Sequence, residues 1–240
     1  MIDGIIAFFQ RWGQQLYDTF IVEDRYQLLL EGLGNTLIIT LGALAIGVVL
    51  GAVIAMTKYF AEDCPALKPA ATLCNIYVTT IRGIPVVVLL LIFYYLILQS
   101  ASGLVVGVVT FGINSAAYMA ELIRSGINAV DAGQMEAGRS LGLSKLQTMY
   151  KIIFPQAVKN ILPAIGNEMI ALLKETAVAG YVAVRDLTRA GNLIRNNTYD
   201  AFNPLIAVAV VYLVLVILLT KALARFEKRL SKSDRSKRTA

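Results

Sequence analysis

Two carboxylates near the end of a long apolar stretch have the clearest chemical potential in this sequence. Glu168 lies within the stretch at about residues 157–174, and Glu175 follows seven positions later, so both fall on one face of a helix. A carboxylate inside a membrane is costly and marks a functional position. We expect Glu168 to bind a positively charged group, or to be neutralised by a neighbouring subunit. For Glu175, an ion pair with Lys174 or across a subunit boundary is the alternative.

A second polar face lies on the apolar stretch at about residues 104–126. Asn114, Tyr118 and Glu121 follow one another at i, i+4 and i+7, which places them on one side of a helix. Amide, hydroxyl and carboxylate groups together could bind a zwitterion. The alternative for Glu121 is a structural one, in which it pairs with Arg124 or caps a neighbouring loop.

A helix break carries the remaining candidate. Gly83 and Pro85 interrupt an overlong apolar stretch at about residues 68–98, and they predict a kink at which the chain could gate. Arg82, beside this kink, should face a polar cavity or a partner because a buried charge is expensive. Alternatively it caps the broken helix or extends towards the membrane surface.

Several classes of catalytic site are excluded. The chain has no histidine and only two cysteines, which rules out histidine bases, histidine metal ligands and a zinc site made from cysteine and histidine. We therefore expect no enzyme activity, no metal and no cofactor in this chain alone.

Composition predicts an all-α membrane protein. Hydrophobic residues make up 57% of the chain and charged residues 16%, against about a quarter in soluble domains. Apolar stretches near the 20 residues needed to span a bilayer predict five transmembrane helices. Their approximate ranges are 33–57, 68–98, 104–126, 157–174 and 204–224. We interpret 68–98 as one kinked span, and the polar content of 157–174 places it inside the bundle.

The two ends of the chain differ in character. The N-terminal segment is taken as residues 1–30, and its residues 1–25 lack the pattern of a signal peptide. The segment contains an amphipathic helix that lies in the membrane interface or packs on the bundle. Residues 221–240 hold eight basic and two acidic side chains, and their last part, 231–240, forms a basic tail. Because basic loops stay in the cytoplasm, this distribution predicts the N-terminus outside and the C-terminus inside.

A polar segment at about residues 131–155 separates the third and fourth spans. Asp131 with Gln134, and Ser144 with Gln147, have capping-box spacing and predict two helix starts. Gly142 is expected to end the first helix, and Pro155 the second. A DNA-binding helix-turn-helix on a membrane-anchored regulator is the less favoured interpretation, since the second helix is rich in apolar side chains and no nucleic acid contact is expected.

This helix pair resembles the EAA loop of ABC importer permeases, with Gly138 and Phe154 in place of the usual Ala and Leu. We expect Gly138 to loosen the first helix by about 1 kcal/mol. In that family the loop docks on a separate ATPase subunit, which binds the ATP and magnesium. The resemblance assigns this coupling to Glu136, Ala137, Arg139, Leu141, Gly142, Ile152 and Pro155.

Further matches are similar to the branch of that family that imports polar amino acids. They lie at residues 32–37, 82–85, 115–121 and 174–176. The resemblance, over about residues 31–230, implies a five-helix subunit of a type I importer in a bacterial inner membrane. It also implies a second permease, identical or a sister subunit, a pair of ATP-binding subunits, and an extracytoplasmic solute-binding protein that docks on the polar segment 181–203.

The function predicted from these features is that of the membrane-spanning subunit of an ATP-driven amino acid importer. Two carboxylates in one span favour a polar, and specifically a cationic, amino acid as substrate, with Glu168, Asn114, Tyr118, Glu121 and Glu175 as the binding residues. An ion-gradient-driven secondary transporter is the rival, but it would require inverted repeats, and the five spans show none.

Overall fold

The computed structural model describes residues 2–238, except for the side chains of Ile2, Phe8 and residues 230–238. The described residues contain no β-strand, which agrees with the all-α prediction. The basic side chains predicted for the tail at 231–240 lie outside the described residues. The helices are α1 (Ile2–Phe20), α2 (Tyr26–Ala61), α3 (Lys68–Gly83), α4 (Val86–Ile92), α5 (Gly103–Asn128), α6 (Gly133–Ser140), α7 (Lys145–Thr148), α8 (Phe154–Glu175), α9 (Leu187–Thr198) and α10 (Phe202–Arg238).

Three helices of the described chain are individually long and apolar enough to cross a membrane: α2, α5 and α10. The pair α3 and α4 would make a fourth span only if the two are counted together. The helix α8, with 22 residues, has the length of a span but more polar side chains than a lipid-facing helix tolerates. It packs against α5, α2 and α10, so its place in the bundle follows from packing.

The predicted kink is a sharp break. The chain bends by 107° between the helical segments on either side of Ile84 and Pro85. Ile84 is extended, with φ −103° and ψ 131°, because a residue that precedes proline is driven out of the helical region. The kink predicted at Gly83 and Pro85 is therefore present, and the stretch 68–98 forms two helical segments that count as one span only if they are taken together.

The helices α2 and α5 form the centre of the bundle. Small residues at four-residue spacing on α2, Ala43, Gly47 and Gly51, are all buried. A Cβ on Gly47 would lie 2.6 Å from Ser115 Oγ, and one on Gly51 would lie 3.1 Å from the Ala116 carbonyl oxygen. These glycines therefore allow the two backbones to approach closely, as in other membrane helix pairs.

A compact turn joins α6 to α7. Gly142 adopts a left-handed φ of 83°, as predicted. The Leu143 amide donates to the Gly138 carbonyl at 3.2 Å, and the Gly142 amide donates to the Arg139 carbonyl at 3.0 Å. These two bonds make a Schellman motif, which fixes where the second helix begins.

The start of α7 follows the capping-box prediction, whereas the start of α6 does not. The Ser144 side chain accepts from the Gln147 amide, and the Gln147 side chain accepts from the Ser144 amide at 2.8 Å. Asp131 lies one residue too early for a capping box, because α6 begins at Gly133 with Ala132 at the cap. Its carboxylate instead accepts from the Gly133 amide at 2.7 Å.

Pro155 does not end the second helix, contrary to the prediction. Phe154 is helical, with φ −59° and ψ −44°, and the helix continues through Pro155 into α8. A π-helical turn over Met149–Ile153, in which the Phe154 amide bonds to the Met149 carbonyl, precedes the proline. A proline in the first turn of a helix costs little, since its missing amide has no intrahelical partner there.

Gly138 is a packing residue at the centre of the helix pair. It is buried, and a Cβ added there would lie 2.9 Å from Thr148 Oγ1 and 3.1 Å from Ile152 Cδ1. The expectation that Gly138 loosens α6 was based on helix propensity alone and did not consider this contact with Thr148 and Ile152. Glycine is needed here because α6 and the π-helical turn touch at this point.

Gly138→Ala should therefore loosen the helix pair, although alanine is the better helix former. Overpacking costs about 1–3 kcal/mol and outweighs a propensity gain of about 1 kcal/mol. We expect hydrogen exchange at residues 133–153 to accelerate by roughly 5–30-fold if the net cost is about 1–2 kcal/mol. Thr148→Ala in the same chain should restore protection. Gly13→Ala, where nothing lies within 4 Å of the added Cβ, is the control; equal exchange in all variants would contradict this packing role.

Candidate functional site

The turn between α6 and α7 presents an exposed surface at one end of the bundle. Leu141 is 80% exposed and Leu146 is 63% exposed, although both are apolar. Of the predicted coupling residues, Glu136, Ala137, Arg139, Leu141, Gly142 and Pro155 are exposed and Ile152 is half-buried. Large apolar side chains exposed around a rigid turn are typical of a protein docking surface.

The same end of the bundle contains a charge cluster. Glu121 accepts from Lys58 Nζ at 2.7 Å through one carboxylate oxygen and from Arg124 Nη2 at 2.8 Å through the other. The pairing with Arg124 given as the alternative from sequence is thus present, and it is joined by Lys58 from α2. The cluster lines a polar cleft of about 580 Å³ between the end of α2, the start of α3 and the end of α5.

Near the middle of α5, two other helices bring charged groups to one face. Ser115 Oγ on α5 donates to Glu168 Oε1 on α8 at 3.3 Å. The Arg82 guanidinium, at the end of α3, lies over the Tyr118 ring at 5.0 Å from its centroid. Asn114, which is 4% exposed, belongs to the same part of α5. The structure thus brings Glu168, Arg82, Asn114 and Tyr118 to one level of the bundle, whereas Glu175 lies seven residues further along, at the last turn of α8.

The opposite end of the bundle is built around α9, Leu187–Thr198, which lies within the polar segment 181–203. The Asp186 side chain caps it by accepting from the Thr188 and Arg189 amides. Burial raises the pKa of Asp186 to about 6, against the lowering effect of these hydrogen bonds. Thr36 of α2 accepts from the Leu187 amide, and Glu31 pairs with Arg185 at 2.6 Å, so α9 is fastened to the start of α2.

The helix α1 touches this same end. Trp12 Nε1 donates to Asn203 Oδ1 at 3.0 Å, and Thr19 Oγ1 donates to Asp200 at 3.1 Å. Ile5, Ile6 and Phe9, on its apolar side, are exposed. The second half of α1 therefore packs on the bundle, while its first half presents an apolar face outwards.

Sequence reasoning missed two partners at these sites. Lys58 could not be identified from sequence as a partner of Glu121, because 63 positions separate the two residues. Ser115 was noted only as part of a family match, although the small-residue spacing of α2 against which it packs could have placed it in the core. Contacts between distant helices are not encoded in local periodicity.

Comparison with protein families gives a match over most of the chain. Residues 47–232 match the family described as binding-protein-dependent transport system inner membrane component. Two curated relatives come from Bacillus subtilis. The probable glutamine ABC transporter permease protein GlnM is 37% identical and covers 89% of this chain and 98% of its own length. The arginine transport system permease protein ArtQ is 37% identical and covers 86% of this chain and 94% of its own.

Solved structures give the same fold. A chain of an amino acid ABC transporter crystallised with histidines superposes with a TM-score of 0.80 at 42% identity, over 88% of this chain and 98% of that one. A chain of the MetNI methionine ABC transporter in an inward-facing conformation has a TM-score of 0.75 at 23% identity and supports the fold alone. The all-helical bundle, the matched residues and the relatives agree. The chain belongs to the family of inner membrane components of binding-protein-dependent transport systems.

Proposed function

We propose that this chain is the membrane-spanning permease subunit of an ATP-driven amino acid importer. The observation that carries the proposal is the exposed, rigid turn between α6 and α7 at one end of a bundle whose middle holds a carboxylate and a guanidinium. The names of the relatives, which include glutamine and arginine transport permeases, support an amino acid as the substrate.

The coupling surface faces the cytosol in this proposal. Basic residues concentrate at this end of the bundle and in the tail, as expected for cytoplasmic segments. A pair of ATPase subunits binds ATP and magnesium, and each receives the turn around Leu141 of one permease. The bundle is completed by a second permease, identical or a sister subunit.

The extracytoplasmic face then carries α9 and the loops around it. Tyr199 is 96% exposed and Tyr181 is 68% exposed on this side. Aromatic side chains presented in this way are common in protein interfaces. They support a solute-binding protein as the partner on the outside, where the substrate enters.

Movement of the coupling surface is transmitted to the substrate-binding region through the helix that continues past Pro155. The segment Lys145–Glu175 includes both α7, which is joined to the exposed turn, and Glu168, which contacts α5. Closure of the ATPase dimer therefore moves the helix pair and the carboxylate together, and nucleotide-bound and free states differ because the docked surface is bound differently in each.

Glu168 binds the positive charge of the substrate in this account, and a cationic amino acid is favoured. Ser115 donates a single hydrogen bond to the Glu168 carboxylate, so other lone pairs of that carboxylate remain available. No salt bridge among the described residues includes Glu168. Glu175 lies further along the same helix, where it can attract a cation towards the site. Glu121 already pairs with Lys58 and Arg124, so we assign it a structural role and not one in substrate binding.

Docking can be tested at the left-handed turn. Gly142→Val should abolish capture of the cognate ATPase subunit, because a β-branched residue at a φ of 83° would distort the turn. Gly142→Asn is the matched control, since asparagine tolerates this conformation, and it should retain capture. Glu136→Trp should also reduce capture. Retention of the ATPase by all three membrane-inserted variants would contradict the assignment, and uptake without any ATPase would favour a secondary transporter.

Substrate charge can be tested at Glu168. Glu168→Gln should lower lysine uptake by roughly 10–100-fold, the equivalent of one hydrogen bond to a charged group, and affect glutamine uptake less. Transport into vesicles that contain the full complex measures both. Glu62→Gln, an exposed carboxylate at the coupling end, should leave the ratio unchanged. Equal losses for lysine and glutamine, or none, would remove Glu168 from side-chain selectivity.

A further inference from the structure

The end of α2 makes charged contacts with two different helices. Lys145, the first residue of α7, forms an ion pair with Asp63 in the turn that follows α2. The Lys145 ammonium also lies 4.8 Å from the centroid of the Tyr59 ring on α2. One residue earlier on α2, Lys58 Nζ forms an ion pair with Glu121 of α5 at 2.7 Å. Consecutive residues of α2 therefore contact α7 and α5.

The partners of Lys145 are held in place by local structure. The Asp63 amide donates to the Phe60 carbonyl at 3.4 Å, which ties the turn to the last turn of α2. The Tyr59 ring packs edge-on against the Phe60 ring, with 5.3 Å between the centroids. The capping box at Ser144 fixes the start of α7, which carries Lys145. Exposed ion pairs are weak partly because two mobile groups must be ordered, and here the backbones of both are already fixed.

The same three segments also share an apolar cluster. Its buried members include Ala55 of α2, Ile123 and Ile127 of α5, and Met149 and Ile153 of the π-helical turn. The hydrophobic effect holds these segments together without fixing their relative direction. Ion pairs act between defined atoms and so fix how one segment is placed against the next. The charged contacts therefore add positional definition to a cluster that apolar packing already stabilises.

A polar cleft of about 580 Å³ opens where these contacts meet. Lys58, Tyr59, Glu121 and Arg124 all line it. The two cations that pair with Glu121 differ in what they join. Lys58 connects α2 to α5, whereas Arg124 lies on α5 three residues after Glu121 and connects no second helix through this pair. A shift of the end of α2 therefore reaches α5 through Lys58.

We propose that Lys145, Asp63 and Lys58 are positioning residues that transmit movement of α7 through the end of α2 to Glu121 on α5. This second connection is separate from the helix through Pro155. It rests on the proposed function, because the docked ATPase supplies the movement of α7. Without either ion pair the ATPase still binds and hydrolyses ATP, but a smaller share of the hydrolysed ATP is coupled to transport.

The test measures amino acid uptake per ATP hydrolysed by the full complex in proteoliposomes. Lys145→Gln should lower this ratio by about 3–30-fold, because it removes both an exposed ion pair and a cation–π contact. Asp63→Asn should lower it by about 1.5–5-fold, since the contact with the ring remains. Lys145→Glu combined with Asp63→Lys restores an ion pair of reversed sign and should recover part of the ratio. Tyr59→Phe keeps the ring and should keep the ratio.

The contact between α2 and α5 has its own matched variants. Lys58→Gln should lower the ratio at least as much as Asp63→Asn, because the pair with Glu121 is less exposed and less screened by solvent. Arg124→Gln leaves the ion pair between the two helices intact and should keep the ratio. Lys151→Gln controls for charge, because this exposed lysine follows α7 and takes part in no salt bridge among the described residues.

An unchanged ratio in Lys145→Gln and Lys58→Gln, equal losses in the two controls, or no recovery in the reversed pair would overturn the assignment. Capture of the ATPase by the membrane-inserted variants, and the dependence of uptake on ATP, are measured in parallel. If both persist while the ratio does not respond, the positioning role fails and the importer function stands. Uptake by the unmodified chain without any ATPase would instead contradict the importer function.

Discussion

The structure depends on the helix that continues through Pro155 and so joins α7 to α8. A π-helical turn over Met149–Ile153 places the proline in the first turn of α8, where its missing amide needs no partner. As a result, the segment that forms the exposed turn is continuous with the span that carries Glu168. A proline that ended the helix would have separated the docking surface from the carboxylate by a flexible joint.

Two close contacts make this continuous helix part of a rigid body. Gly138 lets α6 lie directly on Thr148, and the Schellman motif at Gly142 fixes the angle between α6 and α7. On the other side, Gly47 and Gly51 hold α2 against α5, which supplies Ser115 as the contact for Glu168. Small residues at these crossings allow backbone separations that larger side chains would prevent.

The features predictable from sequence were those encoded locally. Capping at Ser144, the left-handed Gly142 and the break near Pro85 follow from the intrinsic preferences of single residues, and the polar face of α5 follows from its spacing. Pro155 was wrongly taken as a helix end, because the effect of proline depends on whether the preceding turn can widen. The pairing of Lys58 with Glu121 and the approach of Arg82 to Tyr118 depend on helix packing, which local patterns do not specify.

We expect the helix pair α6 and α7 and the span α8, which carries Glu168, to move as one body between nucleotide states. Spin labels at Ser140 and Asn167, both exposed, can be introduced into the intact complex after Cys64 and Cys74 are replaced by serine. We predict that the Ser140–Asn167 distance within one permease is unchanged between nucleotide-free and ATP-bound states, while the distance between the Asn167 positions of two permease copies changes. A change in the first distance with none in the second would contradict it.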